Sequence, residues 1–217
     1  MNKFIQHDLT ADIVKTNNPR IGVIALSTDF TIEQDYRNIC HQLPVDIFVN
    51  RIPFENPLNH ENYLKMADYI SDVSLQILPS EEIDIIAYGC TSGTIAIGSD
   101  RIKEEVNKTK PKAKVTTPIT AALKAFKHLG LKNIAVLTPY PKDVNATVYD
   151  YLTDHNIGVE SFSSFNLEYD SEIAQVSLES LEKEISKIDL SNVDGLFVSC
   201  TALKIVDVLE RVESSQN

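Results

Sequence analysis

Apolar, β-rich runs alternate with amphipathic stretches along the whole chain. "IGVIAL" (21–26), "VDIFVNRI" (45–52) and "IDIIAYG" (83–89) read as buried strands. Between them, "TIEQDYRNICHQL" and "NHENYLKMADYISDVSLQIL" carry helical periodicity, the second with Leu64, Ala67, Ile70 and Leu75 as expected core positions. "TIAIGSDRIKEEVNKT" predicts a helix, "KVTTP" a short strand, and "ITAALKAFKHLG" a helix stopped by Gly130. The alternation then restarts with strands at "KNIAVLTPY" (132–140), "VESFSSF" and "VDGLFVSCT". Helices are expected at "KDVNATVYDYLTDHNIG", "SEIAQVSLESLEKEISKI" and "ALKIVDVLERV". Strands separated by helices throughout predict an α/β fold with parallel sheets.

Two stretches repeat. "DIIAYGCTSGT" and "DGLFVSCTAL" each read Asp, an apolar strand, then Cys-Thr at the strand's end. Asp84 precedes Cys90 by six residues, as Asp194 precedes Cys200. Gly22 to Cys90 spans 68 residues and Ile134 to Cys200 spans 66, so two halves of similar βαβαβα build are expected. The boundary is placed near residue 115, giving an N-terminal lobe (1–115) with Cys90 and a C-terminal lobe (116–217) with Cys200.

Composition narrows the function classes. A net charge of −11 without long basic runs disfavours nucleic acid and anionic membrane as partners. No apolar run approaches the roughly 18–20 residues of a membrane span. "MNKFIQHDLTADIVK" lacks the apolar stretch of a secretory signal. The three cysteines are odd in number and without metal-ligand spacing, which suits free thiols in a reducing cytoplasm and gives no reason to expect a metal.

In a parallel sheet, ligands bind beyond the carboxyl ends of the strands, where Cys90 and Cys200 are expected. If each opens a helix, free N–H groups and the positive dipole end should lower the thiol pKa and dock a carboxylate. Gly89 and Gly93 are expected to let the backbone approach that ligand. Cys40, on an ordinary helical pattern, reads as a small buried hydrophobe. "GCTSGT" lacks the Lys of a nucleotide-binding loop. Lobes packed about a pseudo-twofold would bring the two sulfurs to opposite sides of one cleft, suiting proton removal on one face and delivery on the other. Arg51 follows the second strand and could bind a carboxylate or make a surface ion pair.

"AYGCTSGT", "LTPY" and "VSCTAL", in that order and spacing, resemble the Asp/Glu racemase superfamily, in its maleate cis-trans isomerase and arylmalonate decarboxylase branch. "NRIPFENP" and "DSEIAQVSLESL" further resemble the ectoine-utilisation proteins of that branch. The resemblance implies two pseudo-symmetric flavodoxin-like lobes with the active site between them. It also implies cofactor-independent chemistry on a small carboxylate and a homo-oligomer. It makes Cys90 the nucleophile, Cys200 the acid or base, and Tyr140 a hydrogen-bond donor to the substrate carboxylate. Thr91, Ser92 and Thr201 would complete the carboxylate site.

The chain also departs from that pattern. "STDF" puts Asp29 where maleate isomerases carry an asparagine, and Ser171 is the nearest match to a second missing substrate asparagine. Asp29 either caps the following helix or turns the site from maleate toward an amino- or hydroxy-bearing acid. The family usually adds a final strand and helix beyond the last motif, which do not follow "VESSQN" here. Retention of two cysteines favours isomerisation or racemisation over decarboxylation, which needs one. A non-catalytic small-carboxylate binding protein is the other alternative.

Overall fold

The computed structural model describes residues 4–216. Seven strands alternate with helices in two parallel sheets. The first lobe contains β1 (Arg20–Leu26), α1 (Ile32–Cys40), β2 (Asp46–Ile52), α2 (His60–Lys65), a 3₁₀ turn (Met66–Tyr69) and α3 (Ile70–Leu75). It continues through β3 (Ile85–Tyr88), α4 (Thr91–Ile97), α5 (Ser99–Asn107) and β4 (Lys114–Thr116). Its sheet has the order β2-β1-β3-β4. After α6 (Pro118–Leu129), the second lobe comprises β5 (Asn133–Thr138), α7 (Lys142–Asp154), β6 (Gly158–Ser164), α8 (Asp170–Ile173), α9 (Leu178–Ile185), β7 (Gly195–Val198) and α10 (Leu209–Gln216). Its sheet is β6-β5-β7, three strands against four. No described helix is long and apolar enough to cross a membrane.

The expected α/β alternation is present, with local corrections. The segment 59–78 is two short helices joined by a 3₁₀ turn, and its buried stripe is Tyr63, Met66, Ala67, Ile70, Val73 and Ile77. Ala67 and Ile70 are therefore core, while Leu64 and Leu75 face solvent. The helix expected from 94 to 109 begins earlier and breaks at Gly98, whose φ of +92° suits glycine. β4 runs to Thr116, one residue past the expected boundary, and α6 bridges the lobes, with Phe126 edge-on to Phe197 at 5.3 Å. One buried cluster runs through both lobes, from Ile24, Ile86 and Tyr88 to Ile134, Val136 and Tyr140.

The duplicated aspartates have a structural role. Asp84 Oδ2 accepts from the Arg20 N–H at 2.8 Å, and Asp194 Oδ2 accepts from the Lys132 and Asn133 N–H groups at 2.7 and 2.8 Å. Each ties the end of its lobe's first strand to the strand that carries the cysteine. At the other end, Gly89 N–H donates to Ile24 O at 2.8 Å and Ser199 N–H to Leu137 O at 2.9 Å. The strands are thus pinned at both ends, and the cysteines emerge at matched points.

Gly89 and Gly93 serve packing. A Cβ on Gly89 would fall on Ile32 Cδ1 and within 3.0 Å of the Ile24 carbonyl oxygen. One on Gly93 would meet Met66 Cε at 2.5 Å and Cys90 Sγ at 2.9 Å. Gly89→Ala therefore overpacks the strand end beside Cys90, with an expected stability loss of about 1–3 kcal/mol. A shift in the urea unfolding midpoint at unchanged slope measures it, and an unshifted midpoint contradicts the packing role.

Candidate active site

Of the eight residues singled out from the sequence, seven meet in one small cavity between the lobes: Asp29, Cys90, Thr91, Ser92, Tyr140, Cys200 and Thr201. Leu26, Leu58, Tyr63, Asp170 and Ala202 complete the wall. The enclosed volume is about 10 Å³, room for roughly one water. Two contacts between lobes close it: Leu58 N–H donates to Glu168 O at 2.9 Å, and Asp170 N–H to Asn56 Oδ1 at 3.3 Å. A wider apolar hollow of about 350 Å³ lies between α1 and α6, on the other side of Gly89 and Thr201. It holds Asp35 and Cys40 but neither of the paired thiols.

The two thiols are placed alike but built differently. Cys90 is the N-cap of α4, and its sulfur accepts from the Gly93 N–H at 3.2 Å. Cys200 does not open a helix: residues 201–208 form turns, and α10 starts only at Leu209. Its φ of +141° is a conformation that side chains other than glycine's rarely adopt, at a cost of about 1–3 kcal/mol. Its sulfur accepts from the Ala202 N–H at 3.4 Å, and the Tyr140 hydroxyl is near enough to lower its pKa.

The expected low thiol pKa is corrected by burial. Desolvation pushes Cys90 well above the ordinary thiol value, outweighing the Gly93 N–H, and the charges of Asp170 and Asp29 add to the rise. Cys200 is half-buried as a residue, yet its sulfur is surrounded by protein. Desolvation first, then the Asp170 charge, lifts it to about 12 against the Ala202 and Tyr140 hydrogen bonds. The helix start lowers a thiol pKa only where the thiolate is otherwise tolerated, and this cavity is buried and carries two nearby carboxylates.

Asp29 both caps the following helix and lines the cavity; its Oδ1 accepts from the Thr31 and Ile32 N–H groups at 2.7 and 2.8 Å. Burial raises its pKa despite those bonds. Thr201 Oγ1 sits 3.0 Å from Gly89 O and 3.4 Å from Asp29 Oδ2. Ser92 Oγ is buried without a hydrogen-bond partner. The phenols of Tyr63 and Tyr140 face it closely enough for Ser92 to stabilise their ionised forms, though no bond is well formed.

Arg51 lies outside the cavity. Its guanidinium pairs with Glu33 at 2.8 Å and donates to the backbone carbonyls of Leu26, Ser27 and Asp29. It braces the β1–α1 loop and is not free for a substrate carboxylate. Nor does Ser171 line the cavity; the neighbouring Asp170 does, its Oδ2 accepting from the Thr28 hydroxyl. The sequence reading places Ser171 at the missing asparagine, one residue past Asp170, and carries no signal for Tyr63 or Leu58, whose place in the wall depends on packing between the lobes.

The family model described as arylmalonate decarboxylase matches residues 56–217. The chain belongs to that family. The maleate isomerase of Alcaligenes faecalis is 23% identical over 207 residues, covering 89% of this chain and 82% of the relative. Among solved structures, the maleate isomerase of Pseudomonas putida S16 holding maleate superposes with a TM-score of 0.83 at 19% identity, over 92% of this chain and 84% of that one. The Nocardia farcinica maleate cis-trans isomerase with a covalently bound succinylcysteine intermediate also has a TM-score of 0.83, at 18% identity, over 92% of this chain and 85% of that one.

Two outcomes follow from the electrostatics of the closed cavity. Iodoacetamide at neutral pH should alkylate the half-buried Cys40 ahead of Cys90 and Cys200, read by mass spectrometry of tryptic peptides; faster labelling of the pair contradicts the burial effect. Desolvation lifts Asp170 from 3.8 to about 6. The folded state thus binds its proton more tightly than the unfolded state, and stability falls as pH rises from about 4 to about 6. Asp170→Asn removes that cost. The variant should match the parent below about pH 4 and exceed it above pH 6 by roughly 1–3 kcal/mol in urea titrations. A pH-independent difference contradicts the assignment.

Proposed function

We propose that this member of the arylmalonate decarboxylase family is a cofactor-independent isomerase or racemase. It works on a small amino- or hydroxy-bearing carboxylic acid through Cys90 and Cys200. The observation that carries the reading is that the two lobes each contribute one cysteine to the wall of a single closed cavity. A decarboxylase needs a proton donor on one face only, so the second thiol favours chemistry at both faces.

With a saturated substrate, one thiolate removes the α-proton and the C–H electron pair moves onto the carboxylate as an enediolate. The opposite thiol then gives its proton to the other face, leaving the configuration inverted and the thiols in exchanged protonation states. With an unsaturated substrate, the Cys90 sulfur adds to one alkene carbon and the electron pair is held by the neighbouring carboxylate. Rotation about the resulting single bond and cleavage of the C–S bond return the pair to the double bond. The succinylcysteine recorded for the Nocardia farcinica protein is the adduct such addition gives once the α-carbon has taken up a proton. Hydroxyl groups from Ser92, Tyr63, Tyr140 and Thr91 supply hydrogen bonds for the carboxylate that accumulates charge, while the Thr201 hydroxyl is engaged by Gly89 O.

Turnover should therefore need both thiols. Proton NMR in D₂O on a panel of four- to six-carbon diacids, hydroxy acids and amino acids reads geometric isomerisation and α-proton exchange together. Cys90→Ser and Cys200→Ser should each lower kcat by about 10³-fold or more, roughly 4 kcal/mol of barrier. Full activity in Cys200→Ser transfers the site to a single-thiol decarboxylase.

A further inference from the structure

We propose that Asp29 and Asp170 form a cation subsite inside the cleft that takes an ammonium group of the ligand, with the hydroxyls around Ser92 taking its carboxylate. This rests on the reading of the cleft as the active site, and it narrows the substrate from amino- or hydroxy-bearing acids to amino-bearing ones.

The two carboxylates come from opposite lobes, Asp29 from the β1–α1 loop and Asp170 from the first residue of α8. Both are 5% exposed and both line the cavity. The Thr28 hydroxyl, donating to Asp170 Oδ2, ties the second acid to the loop that carries the first. One oxygen of each is committed: Asp29 Oδ1 to the α1 cap and Asp170 Oδ2 to Thr28. The other two are poorly served. Asp29 Oδ2 has only the Thr201 hydroxyl at 3.4 Å, whose single proton has a nearer acceptor in Gly89 O. Among the described residues, no group donates to Asp170 Oδ1.

Buried carboxylates are ordinarily paired with a cation or several donors. No Lys, Arg or His belongs to this wall. Arg51 donates to the backbone carbonyl of Asp29, and its charge is the weakest of the influences lowering the Asp29 pKa; it makes no hydrogen bond to the carboxylate. No cation acts on Asp170, and the free oxygens of the pair have room for a partner on the cavity side, where a ligand would sit. An independent observation marks the opposite need: Ser92 Oγ is 97% buried as a residue and unpartnered in the same wall, with two phenols turned toward it. A group that offers cationic donors at one end and anionic acceptors at the other satisfies both, and a zwitterionic amino acid is that group. A second carboxylate placed against Asp29 and Asp170 is repelled, and a hydroxyl supplies one neutral hydrogen bond where an ammonium supplies charge-assisted ones.

The test separates binding from turnover. In the Cys90→Ser/Cys200→Ser double variant, calorimetry compares alanine with lactate and aspartate with malate and maleate. The amino acids should bind at least tenfold more tightly than their partners, about 1.4 kcal/mol. Asp170→Asn on that background should abolish the preference, and Asp29→Asn supplies the same readout from the other lobe should one variant fail to fold. Equal or tighter binding of malate or maleate, no binding of either amino acid at millimolar concentration, or a preference surviving both substitutions overturns the subsite. Wild-type turnover is scored apart. Selective amino-acid binding without any thiol-dependent turnover leaves the subsite standing and removes the isomerase reading. Thiol-dependent isomerisation of maleate does the reverse.

Discussion

The ionisable groups of the candidate site are buried where the two lobes meet, and each bears the cost of leaving bulk water. Two thiols, two carboxylates and two phenols share a wall around about 10 Å³, and desolvation is the largest influence on all of them. A site of this kind holds its thiols protonated until something enters. At pH 7 a thiol with a pKa of about 12 is ionised to only about 10⁻⁵. In the proposed reaction, a Cys200 thiolate would therefore have to form as the ligand binds instead of standing ready.

The duplicated architecture accounts for why the groups converge, and its broken symmetry accounts for why they differ. Asp84 and Asp194 register the cysteine strands against β1 and β5, so both sulfurs emerge at the same level. Beyond that point the lobes diverge. Cys90 enters a helix with an N–H on its sulfur, whereas Cys200 turns through a positive φ into irregular chain and relies on Tyr140 and Ala202. The two thiols thus sit at matched points of the fold in unlike surroundings.

Much of this was legible in the chain because it rests on local rules. Strand runs such as "IGVIAL" and "IDIIAYG" are apolar enough to be buried on both faces, and the repeated Asp-strand-Cys spacing marks two strand ends that must lie alike. What was not legible depends on contacts between lobes. The sequence around Cys90 offers a helix N-terminus and hence a low pKa; only the fold reveals that Asp29 and Asp170 stand across from it. Arg51 looks free for a ligand until Glu33 and three carbonyls are seen to occupy its guanidinium. Leu64 and Leu75 were assigned to the core on a helix read as continuous, and the 3₁₀ turn at Met66–Tyr69 shows how little one residue of phase is secured by pattern alone.

On the proposed reading of the cleft as an ammonium subsite, the acid pair would couple recognition to reactivity. The charges of Asp170 and Asp29 count among the influences that keep both thiols protonated. An ammonium seated between those carboxylates offsets their field at the sulfurs, so the ligand that fits is also the one that eases formation of the thiolate. A dicarboxylate has the opposite effect: it adds negative charge to a buried cavity and pushes the thiols further from ionisation. Selectivity then has two multiplying parts, one in binding and one in the protonation state of Cys90 and Cys200. Closure strengthens both, because the contacts of Leu58 with Glu168 and of Asp170 with Asn56 hold out the water that would screen those charges.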